Sequence, residues 1–342
     1  MNSPIKLIVI GGNRLNEEYP FKSLIELKKK YKFELHILTE NTHLKKKVNY
    51  DNENFKFFLD KHNLEFSIIK NYNHLFKIIK KKSIDANTFI LLLNSVFFIK
   101  KDIISLTKKR IFNLHVGKLP EQRGAGTTTW QFMSNILNSA VTIHRVETAL
   151  DKGKIIVEKK FKIRGSCKPI DYYKIASKYE KKALEIFLNM IIKKNFKETD
   201  QKEINSVYMP RIDTNTHSYI NWSWSGKEIL SFIRSFDKPF LGARTFLDNK
   251  KCILTDAKLF KSSINFHPFQ SGIIIRIDKE FIFIAIKNSI LRVRIKLTSR
   301  QNLNNLLGRR LYTPIKYLET AMISKAIHKP DTIKIRKLNS FS

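Results

Sequence analysis

At 342 residues the chain is too long for one compact core, so its length predicts two domains, or one domain with a large appendage. Apolar residues make up 42% of the chain and aromatic residues 11%, which excludes wholesale disorder. The 64 lysines and arginines outnumber the 30 acidic residues and give a net charge of +34. That excess either favours phosphorylated or polyanionic partners or reflects compositional drift on solvated faces, and the sequence leaves both open.

The cysteine count and the short apolar runs indicate the cellular compartment in which the protein is expected. Two cysteines, Cys167 and Cys252, cannot form a disulfide framework or a cysteine-based zinc site, which fits a reducing compartment. The first apolar run, Ile5–Ile10, is too short for a signal sequence. The longest, Phe89–Ile99, falls far short of the roughly 20 residues that span a bilayer. We therefore expect a soluble, cytoplasmic protein with no membrane partner.

The first half of the chain alternates strands with helices. The predicted strands are Ile5–Ile10, Phe33–Thr39, Phe66–Ile69, Phe89–Leu93 and Ile111–His115, and the predicted helices are Pro20–Tyr31, Phe55–Lys61, Tyr72–Lys81 and Ile103–Lys109. This alternation predicts an α/β fold with a doubly wound, mostly parallel sheet, in which ligands bind at the carboxyl ends of strands. Gly11 and Gly12 follow the first strand without a G-x-G-x-x-G pattern, which argues against a nicotinamide cofactor.

The second half indicates a smaller, β-rich, open-barrel-like domain. Strands are predicted at Val141–Val146 and Ile155–Ile163, a long helix at Ile170–Ile192, and a further helix within Ile220–Asp237. Several short strand-like runs follow, at Ala243–Phe246, Cys252–Ala257, Gly272–Ile277, Phe281–Ile286 and Ile290–Leu297. The expected organisation is a first domain over 1–195, a linker over 196–215, the β-rich domain over 216–325 and a loosely held basic tail over 326–342.

An amide, an imidazole and a carboxylate are spaced so that they can meet at one strand end. Asn113 and His115 are two positions apart on a predicted strand, so their side chains point to the same face. Asp151 comes 38 positions after Asn113, at a turn just before another strand. The Asn113 amide and a protonated His115 are donors for a developing oxyanion, and a buried Asp151 can orient His115, raise its pKa or accept a proton. No serine or cysteine nucleophile is indicated beside them, so the trio predicts direct acyl transfer to an amine.

The segments NLHVGKLPEQRGAG (113–126) and VTIHRVETALDKGKII (141–156) together resemble the folate-dependent formyltransferases, which include methionyl-tRNA formyltransferase and the sugar N-formyltransferases. On this resemblance Asn113, His115 and Asp151 match the catalytic asparagine, histidine and aspartate of the family. The INWS segment at 220–223 also resembles the start of the C-terminal domain in the tRNA enzymes and some sugar enzymes, a small open barrel.

The resemblance implies 10-formyltetrahydrofolate as formyl donor, with no metal. Its pterin is expected to contact the backbone near the end of the fourth strand and the turn that follows Asp151. The implied cofactor-binding residues are Leu92, Leu93, Asn94, Ser95, Val96, Thr142, Lys152, Gly153 and Lys154.

The acceptor amine is expected beside the loop that follows His115. The candidate acceptor-binding residues are Asn13, Arg14, Lys118, Arg123, Gly124 and Trp130. For Arg123 the alternatives are a bidentate contact with an acceptor phosphate or carboxylate and a brace for the loop. For Trp130 they are a loop anchor and a stacking platform. His144 is interpreted as packed or hydrogen-bonded rather than as a ligand contact.

These observations predict a one-carbon (formyl) transferase acting on a primary amine. After Arg123-Gly124 the chain reads AGTTTW, where the tRNA enzymes of the family usually have AAPI, so the leading acceptor is a nucleotide-linked amino sugar. Methionyl-tRNA is the alternative, supported by the second domain and the charge. A catalytically silent RNA-binding relative and a hydrolase that releases formate remain as other classes. The oligomeric state stays open, with a homodimer among the alternatives.

Overall fold

The computed structural model describes residues 4–12, 18–46, 53–82, 85–95, 97–297, 303–328 and 333–337. Two sheets with separate hydrophobic cores make up most of it. Among the described residues, no helix is both long enough and apolar enough to cross a lipid bilayer.

The first half of the chain builds a sheet covered by helices on both faces. In chain order its elements are β1 (Lys6–Gly11), α1 (Glu18–Tyr31), β2 (Glu34–Glu40), α2 (Asn41–Leu44), α3 (Phe55–Lys61), β3 (Phe66–Ile69), α4 (Tyr72–Lys81), β4 (Thr88–Leu93), α5 (Lys101–Leu106), β5 (Ile111–Val116), α6 (Thr127–Met133), β6 (Asn138–Arg145), β7 (Ile155–Lys162) and α7 (Pro169–Lys193).

Strand order in this sheet is β3-β2-β1-β4-β5-β6-β7, parallel as far as β5 and antiparallel over β6 and β7. Alternate residues of β1 enter different cores: Leu7 and Val9 pack on one face, Ile8 and Ile10 on the other. Every residue of β4 is buried, as expected for a central strand of a parallel sheet. Strands β1 to β3 are added toward one edge of the sheet, and β4 and β5 are added toward the other. The carboxyl ends of β4 and β5 therefore lie beside the topological switch point between β1 and β4, where such folds bind ligands.

The second half forms a six-stranded antiparallel sheet that curls into an open barrel. Its elements are α8 (Thr214–His217), α9 (Gly226–Ser235), β8 (Ala243–Leu247), β9 (Lys250–Lys261), β10 (Ile274–Asp278), β11 (Phe281–Ile286), β12 (Ser289–Leu297), β13 (Leu311–Tyr312), α10 (Ile315–Ile323), β14 (Ser324–His328) and β15 (Ile333–Lys337). The order is β10-β11-β12-β9-β8-β13, and the backbone N–H of Leu311 donates to the carbonyl of Gly272 at 2.8 Å, which joins the two edges. The predicted fold class, a mostly parallel α/β sheet with a smaller open barrel, is confirmed.

Three local features differ from the sequence-based prediction. The helix predicted at Ile103–Lys109 ends at Leu106, since Lys108 and Lys109 adopt positive φ angles of 46° and 60°. Helix α6 was not predicted, because its three threonines favour strands and lack helical periodicity. Residues expected to form a loose tail after 325 instead take part in a two-stranded sheet, β14 with β15.

Candidate active site

The carboxyl end of β5 presents Asn113 and His115 on one face, as their spacing predicts. Leu114, between them, points the other way into the first core. Strand β6 lies antiparallel beside β5, and its register places His144 opposite Asn113 and Thr142 opposite His115. Two histidines and an asparagine are therefore brought together by the pairing of two strands.

His115 is buried, and its ring is held in one tautomer. Its Nε2 lies 2.6 Å from the carbonyl oxygen of Gln122. Because a carbonyl oxygen only accepts, Nε2 carries the hydrogen, and Nδ1 of the neutral ring keeps its lone pair. The close approach depends on Gly117, where an added Cβ would lie 2.6 Å from the same Nε2.

Burial decides the charge of His115. Burial lowers the pKa of His115 below its usual 6.5; the nearby His144 lowers it further, whereas Asp151 and the bond to Gln122 raise it. The net result is a neutral imidazole at neutral pH. The expectation of a protonated His115 is wrong for this state, because desolvation outweighs the carboxylate.

Asp151 connects the strand pair to the loop that follows β5. Its Oδ2 accepts a hydrogen bond of 2.8 Å from the Gly124 backbone N–H and lies 3.8 Å from Nδ1 of His115. Burial alone would raise the pKa of Asp151, but the positive charge that His115 and His144 carry when protonated, together with the hydrogen bond from the Gly124 N–H, holds it well below its usual range. The carboxylate is therefore ionised at neutral pH although only 8% of Asp151 is exposed.

Asn113 is oriented by a histidine that the sequence did not mark as a site residue. Its Nδ2 lies 3.1 Å from Nε2 of His144 and 3.4 Å from Oδ1 of Asp151. Nδ1 of His144 lies 2.7 Å from the Arg145 carbonyl, so Nδ1 carries the hydrogen and Nε2 accepts from Asn113. His144 thus fixes one amide N–H firmly and leaves the second with only a long contact. The sequence could have pointed to His144 through its place in the VTIH run of the segment 141–156, which carries the family resemblance.

These groups face a cavity of about 520 Å³ at the carboxyl edge of the sheet. Asn94 and Ser95, two of the expected folate contacts, line it beside the trio. Leu92 and Leu93 are buried in the cores on opposite faces of the sheet, so they can offer only backbone groups. Val96 lies outside the described residues.

The remaining expected folate contacts do not line this cavity. Thr142 is fully buried and its hydroxyl donates to the Gly117 carbonyl at 2.8 Å. Lys152 and Lys154 pair with Glu203 and Asp200, at 3.3 and 3.4 Å. The carbonyl of Gly153 accepts from Gln201 at 2.7 Å. The contacts of Lys152, Gly153 and Lys154 therefore connect the turn after Asp151 to the segment that follows α7.

On the acceptor side, Gly124 lines the cavity and two charged residues are already paired. The Arg123 guanidinium binds Glu203 and Gln201, at 2.7 and 2.8 Å for its Nη2, and only 5% of Arg123 is exposed. This arrangement favours the bracing alternative. Lys118 forms an ion pair with Glu121.

Trp130 acts as an anchor, since its Nε1 donates to the Pro210 carbonyl at 2.8 Å. Its ring also lines a second cavity, on the side of the barrel half. Asn13 and Arg14 lie outside the described residues, so their expected place on the rim stays a prediction.

Known proteins match this chain in both halves. The family model described as "Formyl transferase" matches residues 76–187, and the one described as "Formyl transferase, C-terminal domain" matches residues 214–304. Among curated proteins, the bifunctional polymyxin resistance protein ArnA of Wigglesworthia glossinidia brevipalpis is 29% identical over 174 residues, 51% of this chain. Methionyl-tRNA formyltransferase of Clostridium tetani is 24% identical over 218 residues, 64% of this chain. The matched regions span 26% and 68% of the lengths of these two relatives.

A solved structure shows the same fold over nearly its whole length. The N-formyltransferase from Helicobacter canadensis superposes with a TM-score of 0.64 at 19% identity, covering 85% of this chain and 100% of that one. Together the two family-model matches cover well over half of the residues. The chain therefore belongs to the formyl transferase family.

Proposed function

We propose that this protein transfers the formyl group of 10-formyltetrahydrofolate to the primary amine of a nucleotide-linked amino sugar. The observation that carries the proposal is the convergence of Asn113, His115 and Asp151 on one cavity. A volume of about 520 Å³ is in the range of small-molecule sites. The structure of the Helicobacter canadensis protein holds folinic acid and dTDP-3-aminofucose, which supports both substrate classes.

The chemistry begins when a neutral amine attacks the formyl carbon, placing negative charge on the formyl oxygen. The Asn113 N–H that has only the 3.4 Å contact with Asp151 can donate to an oxyanion placed along its direction in the cavity. His144 keeps the amide oriented through the other N–H. Asn113 is therefore the oxyanion donor.

His115 serves as the base in this scheme. His115 lines the cavity, and its Nδ1, which keeps a lone pair, takes the proton that the amine loses; Asp151, 3.8 Å away, stabilises the imidazolium. The new C–N bond forms first and gives the tetrahedral oxyanion, and the bond between the formyl carbon and N10 breaks when that oxyanion collapses. The proton then passes from His115 to N10, so tetrahydrofolate leaves neutral at that atom. This base role replaces the expected role of a protonated His115 as oxyanion donor.

Methionyl-tRNA is the second candidate acceptor. It is supported by the sequence similarity to the Clostridium tetani enzyme and by the net charge of +34. We further propose the organisation expected from the sequence, with the formyl-transferring domain over 1–195, a linker over 196–215, the barrel domain over 216–325 and a basic tail over 326–342. The family-model matches at 76–187 and 214–304 fall mainly inside the first and third of these ranges.

The test is turnover of 10-formyltetrahydrofolate by the purified full chain with three acceptors in parallel. These are a dTDP-linked amino sugar, methionyl-tRNA and water alone, with tetrahydrofolate and formate both quantified. Formylated amino sugar is the expected product. Formate without any acceptor would indicate a hydrolase, and no turnover with any of them would leave a silent binding protein; either result contradicts the proposal.

A further inference from the structure

Two cavities meet beside the catalytic trio, and Arg211 and Ile212 line both of them. The second, of about 660 Å³, lies between α6 and the barrel half. Its walls are mainly apolar and aromatic, so we call it the aromatic cavity; they include Trp130, Met133, Tyr219, Trp224, Phe232 and Met322. A ligand that reaches from one cavity into the other must pass Arg211.

The guanidinium of Arg211 is half-buried and forms no ion pair with any carboxylate in the described part of the chain. Its Nε is buried and has no hydrogen-bond acceptor within the described part of the chain, and no described carboxylate lies within 4.0 Å of it. Asp213, two residues on, lies beyond that distance, and its Oδ1 accepts from the backbone N–H and the hydroxyl of Thr216, each at 2.9 Å. Burial lowers the pKa of Arg211, whereas Tyr173 and Asp213 raise it. Leaving its buried Nε–H unpaired costs free energy that a bound anion would offset.

The backbone around Arg211 is fixed before any ligand arrives. The Met209 N–H donates to the Arg123 carbonyl at 2.7 Å, and the Met209 carbonyl accepts from Gly126 at 3.1 Å. The Pro210 carbonyl accepts from Trp130. Arg123, in the loop bound by this segment, has its guanidinium fully engaged by Gln201 and Glu203. The chain therefore holds one arginine for structure and leaves a second, rigidly mounted, facing the cavities.

We propose that Arg211 binds the diphosphate of a nucleoside-diphosphate ligand, whose base lies in the aromatic cavity and whose sugar extends toward Asp151. A planar guanidinium suits two phosphate oxygens at once, and aromatic faces suit a nucleobase. Trp130 and Trp224 offer such faces, while the first cavity, which contains Asn113, His115 and Asp151, offers the proposed catalytic groups to the amine. This assignment rests on the proposed function, because it names the part of the acceptor that each cavity receives.

The test uses the intrinsic fluorescence of the full chain. The sequence has three tryptophans: Trp130 lines only the aromatic cavity, Trp224 lines that cavity and a neighbouring one, and Trp222 lines only the neighbouring one. We expect dTDP to quench the fluorescence at saturation, thymidine to quench it at higher concentration, and inorganic pyrophosphate to compete with dTDP. The quenching by dTDP should largely disappear in the double variant Trp130→Phe/Trp224→Phe and persist in Trp222→Phe. Quenching carried by Trp222 alone would overturn the placement of the base.

Substitutions of Arg211 test the anion contact. Arg211→Met should weaken dTDP binding about 10- to 100-fold, the usual effect of losing a charge-assisted hydrogen bond, and change thymidine binding by less than about twofold. Arg211→Lys keeps the positive charge but loses the planar guanidinium that can bind two oxygens at once, so its dTDP affinity should lie between those of the parent and Arg211→Met. The exposed Arg164 is the matched control, and Arg164→Met should bind dTDP as the parent does. Equal dTDP affinity in Arg211→Met would refute the assignment.

Two further measurements complete the test. The melting temperature distinguishes a ligand-binding Arg211 from a structural one, and dTDP binding measured apart from formyl transfer distinguishes a failure of this inference from a failure of the proposed function. Replacing a structural arginine would lower the melting temperature. Because the buried Nε–H of Arg211 is unpaired within the described residues, ligand-free Arg211→Met should melt no lower than the parent. Binding of dTDP is measured without donor or amine, so a chain that binds dTDP through Arg211 but transfers no formyl group contradicts only the proposed function. Formyl transfer to an amino sugar with an unchanged KM in Arg211→Met would contradict only the inference. Arg211-dependent binding of methionyl-tRNA without any binding of dTDP would overturn it too.

Discussion

Replacing Asp151 with asparagine removes one negative charge and leaves an oxygen that can still accept from the Gly124 N–H. Asp151 Oδ2 lies 3.8 Å from Nδ1 of His115. With an effective dielectric constant of about 20, an imidazolium at that distance is stabilised by about 4 kcal/mol. Since that charge exists only after His115 has taken the amine proton, Asp151→Asn should lower kcat by about a thousandfold. Single-turnover formation of tetrahydrofolate at saturating acceptor measures the loss.

The same variant should move the pH profile in a direction fixed by the site. The base must be unprotonated, so kcat should fall as the pH drops through the pKa of His115, which burial places below its usual value. The Asp151 carboxylate raises that pKa, so its removal should lower it and shift the acidic limb to lower pH. Asp278→Asn, an exposed carboxylate at the end of β10, is the matched control and should behave as the parent. A folded Asp151→Asn enzyme with more than a tenth of the parental kcat, or an acidic limb that stays in place, would refute the assigned roles.

Three other experiments probe the orienting histidine, the loop after β5 and the acceptor. His144→Ala should lower kcat by about 10- to 100-fold with little change in acceptor KM, since Asn113 loses the partner that orients it. His144→Gln, whose side-chain oxygen can still accept a hydrogen bond from Asn113, should recover part of the rate. Equal rates in the two variants would contradict the positioning role. Gly124→Ala should lower the free energy of unfolding by about 1–3 kcal/mol, measured by urea titration. The reason is that φ of Gly124 is +106° and the new Cβ would lie 2.4 Å from the Met209 carbonyl oxygen. Parental stability in this variant would contradict the idea that the loop after β5 is rigid. If tRNA is the acceptor, log affinity should fall with log salt by about 0.9 for each neutralised phosphate, and a flat, weak response would remove that alternative.

Local sequence patterns were sufficient for the sheet and for part of the site. Alternating apolar runs of four to seven residues predict β1 to β5, because a strand buried on both faces has to be continuously apolar. The two-residue spacing of Asn113 and His115 places both at one strand end for the same geometric reason. Helix α6 escaped prediction, since its threonines give no helical period and its N-terminal residue is held by the Val116 carbonyl, which accepts from Thr127 at 3.2 Å.

The sequence by itself determined the doubly wound sheet and the small barrel, and it singled out Asn113, His115 and Asp151 as the proposed catalytic trio, through periodicity, spacing and family resemblance. Only the tertiary structure decided that His115 is neutral, that His144 orients Asn113, and that Arg123 is paired whereas Arg211 has no carboxylate partner among the described residues. The physical reason is that the charge state of a buried group depends on desolvation and on partners far away along the chain. Gln122 and Asp151 surround His115, and Glu203 reaches Arg123 from 80 positions away.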